Sequence, residues 1–582
     1  MIRLLAQRLR LRRNDEGFAL VIVIAIGAIL MILASVAATY SVSVLNKSKQ
    51  DVAWAAAEAA AYAGIEEYQS RLATDSSYFQ YGNPAAQFGA GSAVTLPTGT
   101  GQVNPAFSLD TGANSTWAVV PGSNGAAKFR YEIDTTKYLS TGIVRIRSTG
   151  LAGGVTRSII ANLKQQGFID FLYFTDYEIQ DPALSGDPVS CVKYAWAGRS
   201  SSCSVIQFSG ADHIQGPVHS NDTLRICGST FDGIVNTGNS TASGGLYYTI
   251  PAGCTAGTFN SGAPYYSPVV GVPTTNSQMK KEVRTDLPAD VPNPGCLYTG
   301  ATSVVLNANG TVTVRSPWTR FTRVAGDPAT SGSNAAACGT PGTGAGQLGS
   351  ATGATFTPPT KAVFYVQNQP ASSSDPNFWP AATPAPTTCK GANGTSTGNG
   401  IGYPMSGETA PSGTPYGCTN GDVFVKGTLS GQMSIAAENY VYVTGDLQYN
   451  DSSTDMLGLV GNNAVWVWNP VNSSGTNLLT DSGRRIDAAI LSVAHTFQVQ
   501  NFSTGSPRGT LTVNGAIAQK FRGPVGTGSG GTTVTGYAKN YVYDARLKYT
   551  APPKYLSPVT TTYGVTTWID TPAAFASNGT YK

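Results

Sequence analysis

The sequence predicts an α+β chain. One long N-terminal membrane helix leads into a small β region and then a large mainly-β domain. Three observations carry this. Residues 18–46 hold no charge at all. Helix-forming composition continues beyond that segment to about residue 75. Past residue 125, apolar residues alternate with polar ones or recur in short runs split by glycine, the mark of strands and turns.

Bulk composition agrees. A chain of 582 residues is too long for one small core. Only 12% of it is charged, while it holds 67 Gly, 28 Tyr and 20 Phe. Few charges with many glycines and aromatics point to an exported, turn-rich β protein. A hydrophobic share of 41% excludes a disordered chain. The net charge of +4 is concentrated at the start, where Arg3, Arg8, Arg10, Arg12 and Arg13 face only Asp15 and Glu16. No broad basic surface remains, so nucleic acid is not an expected partner. Eight cysteines, Cys191, Cys203, Cys227, Cys254, Cys296, Cys338, Cys389 and Cys418, all follow the apolar segment. Their even number and position predict disulfides formed in an oxidising compartment. Pairing of sequential neighbours is the simplest of many connectivities. The absence of CxxC argues against a zinc ribbon or a thioredoxin-like site.

In "RRNDEGFALVIVIAIGAILMILASVAATYSVSVLNK" (12–47) the charge stops at Gly17-Phe18. The uncharged residues reach ~43 Å as a helix, more than the ~30 Å of bilayer hydrocarbon. The preceding arginines place the N-terminus in the cytoplasm and export the C-terminal bulk as a single-pass protein of the cytoplasmic membrane. Two processing readings follow. A secretory signal would be cut near Ser35-Val36-Ala37 and discarded. Alternatively the apolar helix is kept. "QDVAWAAAEAAAYAGIEEYQSRLA" (50–73) has no proline and is rich in Ala and Glu. Gly27 is the one tolerable breaker upstream, so a continuous helix of ~80 Å is predicted.

A basic leader, Gly17, Phe18 and an unbroken apolar helix resemble the class III signal of type IV pilins and pseudopilins. The "AWAAAEAAAYAGIEEY" run (53–68) resembles the corresponding segment of PilX-type minor pilins. The resemblance implies a prepilin peptidase that cuts between Gly17 and Phe18 and methylates the new terminus. It further implies partnership with other pilin subunits, the assembly machinery and membrane lipid. Most members of the family carry Glu at the fifth mature position; here that position is Ile22. A carboxylate deep in lipid is costly, so Ile22 is easy for the membrane but removes an assembly contact. Within the family this implies a minor subunit at a tip or initiating position.

Downstream, "KFRYEIDTT" and "GIVRIRSTGLAGGVTRSIIANLKQQ" predict a strand-turn-strand around Gly153-Gly154 after an irregular stretch over 76–125. From residue 190, "HIQGPV" (213–218), "VFVKGTL" (423–429), "VYVTGDL" (441–447) and "LTVNGAI" (511–517) share an apolar-x-Gly-x-apolar core, and "LRICGST" (224–230) nearly does. Glycine there marks a bend or close approach. The 18-residue step from Val425 to Val443 fits a rung of a parallel β-solenoid; a β-sandwich is the alternative. "VVLNANGTVTV" (304–314) predicts a hairpin at Asn309-Gly310. The resulting division is a leader over 1–17, a membrane and assembly helix over 18–75, and a small pilin-like β region over 76–167. A large exported β domain covers 168–582, with a Gly/Ser/Thr/Pro-rich loop region about 325–420. Scattered blocks over 168–558, among them "GPVHSND" (216–222), resemble large PilX-like exported proteins and imply a shared architecture only.

No catalytic pattern emerges. The acidic Asp170, Asp176, Glu178 and Asp181 lack EF-hand spacing. "DHIQGPVHSND" gathers Asp212, His213, His219 and Asp222, but Gly216-Pro217 breaks the strand that would align the histidines, and no third metal ligand is in view. Two GxGxxG matches, starting at Gly344 and Gly526, sit in low-complexity stretches outside any βαβ pattern. Trp466 and Trp468 share one strand face, suited to core packing or to stacking on sugar. No metal, cofactor or catalytic residue is expected, and the chain reads as a non-enzyme. The two functional readings are a minor pilin or pseudopilin whose outward β domain adheres to a surface or glycan ligand, and a single-pass anchored surface β-helix protein, carbohydrate-binding or carbohydrate-active.

Overall fold

The computed structural model describes residues 16–99, 103–112, 115–138, 143–165, 167–210, 212–240, 246–410, 416–529, 532–548, 550–558 and 563–582. The leader residues 1–15 lie outside this set. The chain forms two compact units, Met1–Gln165 with Tyr563–Lys582, and Gln166–Thr562.

The first unit is built on a helix, Glu16–Thr74, of 59 residues, or ~88 Å. Its early aliphatics are exposed on every side, from Ile22 at 42% to Met31 at 71%. Among the described residues of the helix the buried positions are Ala57, Ala60, Ala61, Gly64, Ile65, Tyr68 and Leu72, on one face. They rest on an antiparallel sheet ordered Ala118–Val119, Ala127–Asp134, Ile143–Ala152, Val155–Gln165 and Tyr563–Thr571. Contact is close because two glycines permit it. A Cβ on Gly64 would lie 2.3 Å from Ser148 Oγ, and one on Gly150 would lie 2.0 Å from the Ala57 carbonyl oxygen. The predicted hairpin turns at Gly153 (φ 54°) and Gly154 (φ 79°), the two positive-φ positions such a turn demands. The described residues between 76 and 125 are largely short 3-10 turns and loops, with the brief strand Ala118–Val119.

The last strand departs from the sequence reading, which assigned everything from 168 to 582 to one domain. Tyr563–Thr571 pairs antiparallel with Val155–Gln165. The whole second unit is therefore an insertion between two neighbouring strands of the first. Partner choice across ~400 residues is a tertiary matter that local alternation cannot encode.

The second unit stacks parallel strands in three ladders. One runs Val304, Val425, Val443, Val467, Val499 in register, all fully buried. The second runs Cys296, Phe364, Ile435, Leu459, Ile490, Ile517, Tyr173, Val218, Val235. The third runs Leu447, Ile486, Val513, Tyr541, Ile214, Phe231, Phe259. Like shapes repeat at the ~4.8 Å strand spacing, so each side chain packs on its neighbour above and below. The 18-residue step is one such rung, since Val425 faces Val443; elsewhere loops lengthen it.

Rung order is not chain order. Strand Tyr173–Tyr177 lies between Pro507–Phe521 and Val218–Ser220. The chain enters mid-stack, builds outward to Tyr265–Tyr266, resumes at Cys296–Thr299 at the other end, and returns to close against its own beginning. Two further findings amend the sequence reading. The region 325–420 is not all loop: it contains Ala362–Gln367, a fully buried strand of the second ladder. The hairpin at Asn309-Gly310 forms, but its first strand, Thr302–Leu306, also pairs parallel with Val423–Leu429, so the hairpin covers one end of the stack. Disulfides join Cys191–Cys203, Cys227–Cys254, Cys296–Cys338 and Cys389–Cys418, which are sequential neighbours.

Candidate functional site

Gly17 and Phe18 form the first turn of the long helix. Ile22 stands among exposed aliphatics, Leu20, Val21, Val23 and Ile24. The helix is long and apolar enough to cross a membrane. Where the apolar run ends, the Ser35 and Thr39 hydroxyls turn back to donate to the carbonyls of Ile32, Ser35 and Val36, so they leave no unpaired donor facing an apolar phase.

The acidic motif and the histidines meet around the closing rung, but as a structural network. Glu178 is fully buried and accepts from Arg522 Nη1 at 3.0 Å and from the Thr175 hydroxyl. Arg522 also donates to the Ile206 and Gln207 carbonyls, and its guanidinium lies 3.7 Å from the Phe208 ring centroid. Asp222 accepts from the amides of Glu178, Ala195 and Thr223 and pairs with Arg199. Asp176 accepts from Tyr194 and Asn221, and burial raises its pKa despite those bonds. Asp181 pairs with His495 Nδ1 at 2.5 Å. Asp212 accepts from Lys539 Nζ at 3.0 Å. Three of these contacts, Glu178–Arg522, Asp181–His495 and Asp212–Lys539, join the outward-built rungs to the returning ones. Asp170 accepts from the Gly167 amide.

The two histidines separate. His213 belongs to the third ladder and makes an exposed 2.7 Å contact with Asp232. His219 belongs to the second and is buried against Phe174 and Phe171, bonded to Asn236 and Asn221. Gly216-Pro217 turns the chain between them, as its dihedral constraints require. Burial lowers the His219 pKa against the opposing asparagine bonds. Among the described residues no group of three or more His, Cys, Asp or Glu side chains could hold a metal ion.

Trp466 and Trp468 do share a face, and both are buried, at 3% and 7% exposure. They pack in an aromatic layer where Tyr403 stacks on Phe424 and Phe424 on Tyr442, with centroids 4.1 and 4.9 Å apart. Glu408, from the loop stapled by Cys389–Cys418, lies over this layer and accepts from Tyr416 and Trp468. These rings are closed to sugar stacking. The carboxylates Asp446 and Asp481 line a surface hollow, and both are held by Arg484, at 3.4 and 3.0 Å.

Asp422, missed by sequence reading because it stands alone in a turn, is buried with one amide donor, Tyr440 N at 3.2 Å. Burial lifts its pKa to about 7. A carboxyl raised in the folded state contributes stability that is complete below its unfolded value near 3.8 and lost as pH rises through about 7. Asp422→Asn is therefore expected to flatten the fall in Tm between pH 5 and pH 8. At pH 8 the variant gains about 2–3 kcal/mol over the parent, discounting for relaxation around the buried charge. Parallel melting curves at the two pH values check this; identical slopes for both chains would refute it.

No protein-family model matches the chain, and no curated protein matches it. Among solved structures, the competence-associated pilin ComZ from Thermus thermophilus is similar at 11% identity, over 89% of this chain and 97% of that one, with a TM-score of 0.25. A superposition that loose carries no argument. The structure itself defines an α+β protein with a long apolar N-terminal helix, a small antiparallel sheet and a large, mostly β unit. Among the described residues none of the sheets closes into a barrel.

Proposed function

We propose that this chain is a minor pilin or pseudopilin, a structural subunit of a type IV pilus-like filament. One observation carries the reading. A single helix is apolar and exposed over its first half, and seated on a small sheet over residues 57–72. The first half suits a bilayer before assembly and other subunits' helices afterwards; the second half holds the folded part. In this reading prepilin peptidase cuts after Gly17 and methylates Phe18. The leader is cytoplasmic, the helix waits in the membrane, and the assembly machinery extracts it. Ile22 in place of Glu favours a tip or initiating position. The second unit, read as a parallel β-solenoid, is the outward surface for adhesion or recognition and performs no catalysis.

Mass spectrometry of the mature N-terminus, in cells with an active prepilin peptidase, tests this. N-methyl-Phe18 is expected. A start near Ala38, or an intact leader, overturns it. Replacing Gly17 with Leu is expected to take processing from near completion to a minor fraction, read as retention of the leader on an immunoblot. Undiminished cleavage in that variant argues against the site.

A further inference from the structure

We propose that Lys539 and Asp212 condense to an isopeptide bond that locks the closing rung covalently. The two residues face each other across adjacent parallel strands. The register Tyr541↔Ile214 places position 539 opposite position 212. Lys539 Nζ lies 3.0 Å from Asp212 Oδ2, whose position is fixed by the Ser209 amide at 2.9 Å. The Asp212 side chain is 7% exposed and that of Lys539 18%.

The pair is enclosed and held in contact. Lys539 lines a cavity of only about 10 Å³ with Tyr173, Phe208, Phe497 and Tyr541, room for about one water molecule. Gln519 and Arg522 line the same cavity. Burial alone would raise the Asp212 pKa, but Lys539, the Ser209 amide and Arg522 outweigh it and lower it, so the carboxylate stays fixed beside the amine. Arg522, fixed by Glu178 and stacked on Phe208, adds a positive charge that disfavours the ammonium. Burial lowers the Lys539 pKa, with Asp212 and Glu178 opposing and Arg522 reinforcing the shift.

The reaction balances without any further reagent. One proton passes from the Lys539 ammonium to Asp212 Oδ2, leaving an amine beside a carboxylic acid. The Nζ lone pair attacks Asp212 Cγ and forms the N–C bond. The Cγ–Oδ2 bond breaks, the second Nζ proton joins the departing hydroxyl, and one water leaves. Charge is unchanged between ion pair and product. Contact at 3.0 Å keeps amine and carboxyl together, so condensation needs no encounter step.

The product would link residues 212 and 539, tying the outward-built rungs to the returning ones at the point where the stack closes. Pulled between its ends, a closure held by strand pairing and buried ions alone can open; an amide cannot.

Intact mass of the full chain, purified in detergent and fully reduced and denatured, tests this. The expected mass is that of the processed sequence less one water, and protease digestion yields a branched peptide containing both Asp212 and Lys539. Lys539→Arg keeps a cation beside Asp212 but lacks the nucleophilic amine, and restores the full mass. Asp212→Asn condenses with loss of ammonia instead of water. Recovery of the parent's Lys539 and Asp212 peptides as separate linear species, at the full mass, overturns the proposal. So does water loss mapped to any other pair of residues.

Discussion

Arg522→Ala is expected to destabilise the second unit by about 3–5 kcal/mol, because it strands Glu178 as a buried, uncompensated carboxylate. Both side chains are almost wholly hidden, at 3% and 0% exposure. The variant also loses the guanidinium bonds to Ile206 and Gln207 and the stacking on Phe208. The damage should be local. Hydrogen exchange is expected to accelerate first over 173–177 and 517–521, the strands that meet where the stack closes. A double variant, Arg522→Met with Glu178→Leu, should recover much of the loss, since replacing a buried pair by apolar groups costs far less than breaking it. Thermal unfolding with exchange mass spectrometry measures both effects. A single variant within about 1 kcal/mol of the parent would show the pair to be dispensable.

Truncation after residue 562 is expected to unfold the sheet of the first unit, although it removes only a C-terminal tail. The tail supplies the strand Tyr563–Thr571 and then the cradle of Arg130. Arg130 is 1% exposed, lies between Trp117 and Phe575 at 4.0 and 5.0 Å, and donates to the Gly579 carbonyl. Burial brings its pKa down to about 10. Thr156 and Ser158 bond to the backbone of Phe575 and Ala574, and Tyr581 to Glu132. Loss of Phe575 alone is worth about 3–5 kcal/mol. Arg130 keeps its bonds to the Asp110 and Thr116 carbonyls and to Ser115 but loses the Gly579 carbonyl and the Phe575 ring. With the fifth strand gone as well, the loss is a large part of the stability of a small domain. Limited proteolysis over 127–165 should find protection in the full chain and rapid cleavage in the truncated one. Equal protection in both would mean that the first four strands suffice.

The first unit is complete only when residues 563–582 are present, because its fifth strand follows the inserted unit. A chain that ends before them lacks that strand, and its sheet is left with an open edge.

Much of this protein is set by local pattern. The charge-free run from Phe18, the Ala-Glu run after it and the absence of proline determine a helix to Thr74, because helix formation depends on residues three and four apart. The Gly153-Gly154 turn and the Asn309-Gly310 hairpin were legible for the same reason: each needs positive φ at a stated place. The 18-residue step was visible only where no loop interrupts it, between Val425 and Val443. Where Cys389–Cys418 staples a long loop into the rung, the period vanished, and Ala362–Gln367 was passed over as part of a low-complexity stretch.

Tertiary structure decided the rest. Neighbours in sequence predicted neither the return of Tyr563–Thr571 to the first sheet nor the entry of Tyr173–Tyr177 at mid-stack, since strand pairing carries no address beyond matching faces. For that reason the acidic motif could not be read from its own residues. Glu178 and Asp181 look like solvated carboxylates in sequence and Asp212 like part of a histidine cluster, while their partners Arg522, His495 and Lys539 lie some 300 residues away. Composition determined that this chain has a long apolar helix and a mainly β body. The fold determined that the body is an insertion closed by buried charges, because only packing brings distant groups out of water together.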